Sequence, residues 1–293
     1  LGVSEIVERA KASPLLNDPF VERTWELING GGLFERSPDS LKQLRRSLMR
    51  DSLSFLARRS ETYASLFDRA DIDPKSADVE DVAKLVVPAD MLRGEGHRPF
   101  VIDDVDEGGE HFMSSGTTGR SPVRIYRSPI DLAMMVKANA DLFEYVYGQY
   151  LEPGEGVALF MAAPELRRRL SFVAFVELAL ESKGIELLYG MSMESGEGDT
   201  PWQKLTPNKD NIVKFLKSRE QPKLFFTAPA GVHLMSQKFE TMSATRRIMY
   251  RMVTKSPPVK LGEGGVIVTG GGSKGFADLP PYPEMASMSR RHF

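Results

Sequence analysis

From residue 156 onward, short and nearly unbroken apolar runs alternate with longer stretches of mixed polarity. The runs at 156–161, 184–189, 223–227 and 265–269 read as buried strands, with helices predicted between them over 170–181, 208–217 and 231–242. Strands that lack polar alternation and are separated by helices predict an α/β fold, a largely parallel sheet with helices on its faces. Ligands in such sheets gather beyond the C-terminal strand ends. The turns after residues 227 and 269 are therefore candidate sites.

The first 95 or so residues read differently, as a helical segment. Ser37-Pro38-Asp39-Ser40 combines an N-cap serine with a first-turn proline. After it Leu41, Leu44, Leu48 and Leu56 recur at helical spacings. A turn is predicted at 71–74 and a short helix at 80–85. Two short strands are expected at 111–113 and 123–127, followed by a helix that Ser128-Pro129-Ile130-Asp131 starts and Gly148 ends. In that helix Ile130, Met134, Ala138, Leu142 and Val146 fall four apart and predict one buried stripe. The expected organisation is a helical lead-in over 1–95 packed on an α/β region over 96–293.

Composition narrows the function classes. With 293 residues, 41% of them hydrophobic, the chain can bury a substantial core in one large or two smaller domains. A formal charge of 38 − 40 = −2 gives no reason to expect nucleic acid or an anionic membrane as partner. No apolar run reaches the roughly 18 residues of a membrane span and no signal-peptide pattern is present, so a cytoplasmic protein is expected. The absence of cysteine excludes disulfides, thiolate metal sites and a cysteine nucleophile within this chain. The four histidines at 97, 111, 233 and 292 show no metal-ligand spacing, and no metal ligand is assigned. The arginine runs 167–169 and 246–247 read as solvated faces, and 194–199 as a flexible loop.

The segment with the clearest chemistry is Ser114-Ser115-Gly116-Thr117-Thr118-Gly119-Arg120, between the two short strands. Its glycines let the backbone turn sharply, and its N–H groups and four hydroxyls offer donors to anionic oxygens. A Walker loop requires GxxxxGK[ST] opening into a helix, and that string is absent. The alternative to a phosphate cradle is a plain polar turn.

The string SSGTTG, with Pro122 and basic residues close behind, resembles the phosphate-binding loop of the adenylate-forming superfamily. The lead-in at Tyr63-Ala64-Ser65-Leu66-Phe67, Ile72-Asp73-Pro74 and 85–88 is similar to two of its groups: phenylacetate-coenzyme A ligases and LuxE-type acyl-protein synthetases. The stretches Arg124-Ile125-Tyr126-Arg127-Ser128 and 269–275 are closer to the acyl-protein synthetases. The resemblance implies an ATP-dependent ligase, in which a fatty or other carboxylic acid becomes an acyl-adenylate and the acyl group then passes to a protein thiol. The partners would be the acid and an acyl-acceptor protein or reductase. ATP and Mg²⁺ are the expected cofactors. Gly116 to Gly119 with the Thr117 and Thr118 hydroxyls would hold phosphate, and Arg120 or Arg124 would supply the cation. Thr118 and Arg124 are the candidate catalytic residues. The resemblance further implies that Gly270, Gly271 and Gly272 border the nucleotide and that Thr227, Ala228 and Pro229 border the acyl pocket. His233 lies beside that turn, as a pocket residue or as an ordinary helix histidine.

Two departures from the superfamily pattern matter. The lysine that usually follows TTG-x-Pro is replaced by Val123-Arg124. The downstream Tyr-Gly-x-Thr-Glu motif, the ribose-binding Asp and the hinge to a mobile lid domain do not occur, so the chain is expected to cover the larger part of an N-terminal domain with the lid domain absent. Two alternatives stand beside the acyl-protein synthetase reading: an acyl- or aryl-coenzyme A ligase, and a catalytically degenerate nucleotide- or partner-binding module.

Overall fold

The computed structural model describes residues 2–85, 87–102, 107–113, 123–148, 154–168, 170–193, 205–246, 248–249, 260–262, 264–270 and 279–293. They form two compact units, residues 1–145 with 168–178 and residues 146–167 with 179–293. The expected helical segment 1–95 lies wholly inside the first unit.

The first unit is largely helical. Helices α1 Val3–Lys11, α2 Pro19–Asn29, α3 Pro38–Arg59 and α4 Glu61–Arg69 are followed by the single turn α5 Val79–Val82. Each start has a local cause. Asp18 accepts from the Phe20 N–H at the head of α2, Ser37 from Ser40 at α3 and Ser60 from Tyr63 at α4. Asp78 and Asp81 cap α5 reciprocally. The buried Asp18 carboxylate also lies 3.1 Å from the Arg58 guanidinium, so one side chain both starts α2 and ties it to the end of α3. The expected turn after α4 contains Asp71 in the left-handed region at φ 53°. The leucine stripe predicted for α3 is only half-buried; Leu53 and Phe55 carry its fully buried surface.

The strands β1 Glu110–Met113 and β2 Arg124–Arg127 pair antiparallel, with Phe112 opposite Ile125 and Met113 opposite Arg124. Phe112 anchors this hairpin in a core that also contains Ile6, Leu15, Phe55 and Ile130. Helix α6 Pro129–Tyr147 follows, and the Ser128 hydroxyl accepts from the Asp131 N–H at its start. Its predicted stripe needs correction. Ile130 is 3% exposed, but Leu142 is 47% and Val146 42% exposed. Each step of four residues overshoots a full helical turn by about 40°, so four steps carry the side chain about 160° around the axis. Leu132, Ala133, Val136 and Ala140 lie on the opposite sense of rotation from Ile130 and form the buried face instead.

The second unit is built on the parallel sheet expected from the apolar runs. Strands β3 Val157–Phe160, β4 Glu186–Tyr189, β7 Lys223–Thr227 and β8 Val266–Thr269 lie in the order β4-β3-β7-β8, and all three pairings are parallel. Every residue of β3 and β7 is buried. Beneath the sheet Val157, Leu159, Phe215, Phe225 and Leu261 form one cluster. Helix α7 Ser171–Ser182 connects β3 to β4, and its residues 171–178 belong to the first unit. Helix α8 Lys209–Lys217, capped by Asn208, precedes β7; α9 Pro229–Thr241 joins β7 to β8; and α10 Tyr282–His292 packs beside α9. A small antiparallel pair, β5 Met191–Met193 with β6 Leu205–Pro207, was not expected. The segment read as a flexible loop at 194–199 lies outside the described residues. Among the described residues, no helix is long and apolar enough to cross a membrane.

Candidate functional site

The strand order locates a crevice without reference to any ligand. From β3 the chain passes to β4 on one side, then crosses to β7 on the other side and continues to β8. Successive connections thus diverge between β3 and β7, and such switch points open a crevice at the C-terminal strand ends. Here those ends are Met161-Ala162-Ala163 and Thr227-Ala228-Pro229.

Backbone hydrogen bonds knit this edge together. The Met161 N–H donates to the Phe226 carbonyl at 2.9 Å, the Gly190 N–H to Phe160 at 2.7 Å and the Gly270 N–H to Thr227 at 3.4 Å. Thr227 stands in register with Thr269. The strand ends that lead into the two turns singled out in the sequence therefore lie side by side, and Gly270 is held directly against Thr227. Gly231 permits the close packing at this edge, because a Cβ there would collide with the Thr227 hydroxyl. Gly190 does the same beside Met161, whose sulfur would lie 2.6 Å from an added Cβ.

Helix α9 begins at this edge. Its N-cap, Ala228, has no side-chain oxygen, so no side-chain cap bonds the first-turn N–H groups. One turn further, the buried Nδ1 of His233 has no hydrogen-bond partner among the described residues. Three residues on, the hydroxyl of Ser236 is fully buried and equally without a described partner. Two such atoms on one helix face depart from the rule that buried polar groups are satisfied. Sequence reasoning singled out His233 but missed Ser236; its only signal was a serine among the apolar positions of α9.

Of the residues expected to hold nucleotide and acid, the structure brings together Thr227, Ala228, Pro229 and Gly270, with His233 on the adjoining helix. Ser114, Ser115, Gly116, Thr117, Thr118, Gly119, Arg120, Gly271 and Gly272 lie outside the described residues. Arg124 belongs to the first unit, where it begins β2 opposite Met113 and lines a cavity of about 520 Å³. The two strands between which the hydroxyl-rich segment falls in the chain pair antiparallel.

The donor set of that segment suits polyphosphate, since hydroxyls and backbone N–H groups all donate to anionic oxygen. Among the described residues no three His, Asp or Glu side chains converge as a cation site.

No protein-family model matches the chain, and no curated protein sequence matches it significantly.

Proposed function

We propose that the protein activates a carboxylic acid with ATP, forming an acyl-adenylate and pyrophosphate, and passes the acyl group to a protein thiol in the manner of LuxE-type acyl-protein synthetases. The observation that carries the reading is the segment Ser114-Ser115-Gly116-Thr117-Thr118-Gly119 between β1 and β2 in the chain. It is rich in phosphate donors, and the strands that precede and follow it in the chain pair antiparallel, with Met113 opposite Arg124. The parallel sheet with a ligand-suited C-terminal edge is compatible with the reading.

The chemistry requires an anionic carboxylate to approach the α-phosphorus of a polyanion. Charge on the phosphates must be offset and the attacking oxygen held in line with its leaving group. The Thr117 and Thr118 hydroxyls and neighbouring N–H groups would take the β- and γ-phosphates, and Arg120 or Arg124 would add a guanidinium. Mg²⁺, when bound, would share the phosphate charge. Gly270 with Gly271 and Gly272 would border the nucleotide, and Thr227, Ala228, Pro229 and His233 the acyl group.

Acid-dependent exchange of labelled pyrophosphate into ATP by the intact protein tests this function. Exchange with at least one member of an alkyl and aryl carboxylic acid panel is expected, whereas none across the panel would overturn the reading. Adding coenzyme A or a candidate acceptor protein to an exchanging sample then identifies the thiol.

A further inference from the structure

Gln43, Arg46, Ser47, Arg50, Asp51 and Ser54 recur at intervals of three and four along α3 and so share one face of the helix. They line a basin of about 370 Å³, and Lys75 closes it from the turn that precedes α5. No apolar side chain is among the residues that line it.

The wall facing α3 is fixed in place. Arg50 donates through Nε to the Ala77 carbonyl at 2.8 Å and through Nη2 to the Ser76 carbonyl at 3.0 Å. Beneath this clamp Ile72 and Ala77 are buried in one cluster with Leu53 and Phe67. Lys75 lies between those two anchors, so its ammonium is carried on a packed turn across the basin from α3.

The charges in the basin do not balance. Asp51 is the one carboxylate in its lining, and Arg23 of α2 already meets both Asp51 and the Ser47 hydroxyl. Beside the basin, the Asp73 carboxylate accepts from the Ser76 hydroxyl at 2.7 Å and from the Lys75 backbone N–H at 3.1 Å, and forms no ion pair with the Lys75 ammonium. The Arg46 guanidinium and the Lys75 ammonium are exposed and have no hydrogen bond or ion pair among the described residues. Arg50 bonds only neutral carbonyls, so its charge is not offset and its remaining N–H groups are still donors. Arg46 and Arg50 stand four apart on the helix, a like-charge placement that costs stability unless an anion lies against them.

We propose that this basin binds a small, polar phosphate monoester, its phosphoryl group held by Arg46, Arg50 and Lys75 and its hydroxyls met by Gln43 and Ser54. The charge selects the class. Three cations without an anionic partner suit a multiply charged group, and guanidinium donors match phosphoryl oxygens in pairs, whereas a monocarboxylate would leave most of the charge unmatched. The volume falls within the range of small-molecule sites and leaves room beside a phosphoryl group for a sugar-sized body. A wholly polar lining disfavours an acyl chain or an aromatic ring. None of these residues belongs to the proposed adenylation site, and the inference does not rest on that reading.

Titration calorimetry of the intact protein at low ionic strength tests it, with inorganic phosphate and ribose 5-phosphate as probes and ribose as the uncharged control. A saturable site is expected for both phosphates and none for ribose. Arg46→Gln and Lys75→Gln should each weaken binding about tenfold, the loss expected from one charge-assisted hydrogen bond. The double variant should lose the site while keeping the wild-type melting temperature, since both side chains are exposed. Thr118→Ala should bind ribose 5-phosphate as the wild type does, which separates this basin from the hydroxyl-rich segment. Failure of the folded protein to bind either phosphate would overturn the proposal, as would equal binding of ribose, undiminished binding by the folded double variant, or loss of the site in Thr118→Ala. Pyrophosphate exchange is measured separately, so loss of either property leaves the other readable.

Discussion

The strands β3 and β7 and the hairpin β1–β2 are all four or five residues long, yet their sequences serve opposite ends. In β3 and β7 every side chain is buried, including Phe225 at 2% exposure, and both strands have parallel neighbours on either side. In β1–β2 one position, Phe112, is fully buried, while charged and half-exposed residues fill most of the rest. The sheet strands spend their composition on the core. The hairpin spends one phenylalanine on anchoring and leaves its other positions to carry a loop and line a cavity. Changes in the first pair should therefore damage folding, and changes in the second should damage binding.

The sharpest contrast is between two apolar truncations. Phe225→Ala should cost about 3–5 kcal/mol, the range for deleting a core aromatic ring. Ile125→Ala, on the half-exposed face of β2, should cost no more than about 0.5 kcal/mol. Urea unfolding measures both, and equal losses would erase the distinction.

A smaller effect is expected where β7 gives way to α9. Gly231→Ala forces a methyl group against the Thr227 hydroxyl, an overpacking cost of about 1–3 kcal/mol. Alanine returns up to about 1 kcal/mol in helix propensity, leaving a modest net loss. Adding Thr227→Ala removes the collision, so the double variant should be more stable than Gly231→Ala alone. If it is not, the turn is not packed as described.

A smaller, pH-dependent signature belongs to Lys223 at the start of β7. Its ammonium is buried, donates to the Leu216 carbonyl at 3.0 Å and lies 5.6 Å from the centre of the Phe215 ring. Burial holds its pKa below the ordinary lysine value. Between the lowered folded pKa and the ordinary unfolded one, the unfolded chain binds more protons, so unfolding free energy rises with pH. Chemical denaturation at increasing alkaline pH should show the wild type gaining stability relative to Lys223→Met across that window. Parallel profiles would show that the ammonium is not desolvated.

The same contrast explains what was legible in the sequence. The parallel strands stood out because burial on both faces requires unbroken apolar runs such as Val157-Ala158-Leu159-Phe160. Caps at Ser37 and Ser128 were legible because their chemistry is local. The α6 stripe failed because an exact four-residue repeat drifts around the helix, and β5–β6 went unseen because three-residue strands carry little periodicity. At the sheet edge, the turns at 227 and 269 were identifiable from strand ends, whereas their register required the fold. The cavity lined by Arg124 was illegible for a related reason. Phe20, Phe55, Tyr63 and Arg124 converge only through tertiary packing, and no spacing in the chain links them.

The direct test of the central claim is Thr118→Ala, assayed in the intact protein for acid-dependent pyrophosphate exchange and for thermal unfolding together. Loss of one phosphate-holding hydroxyl should lower exchange by about tenfold or more while leaving the melting temperature within error of wild type. Exchange at the wild-type rate in the folded variant would contradict the assignment of this loop to ATP.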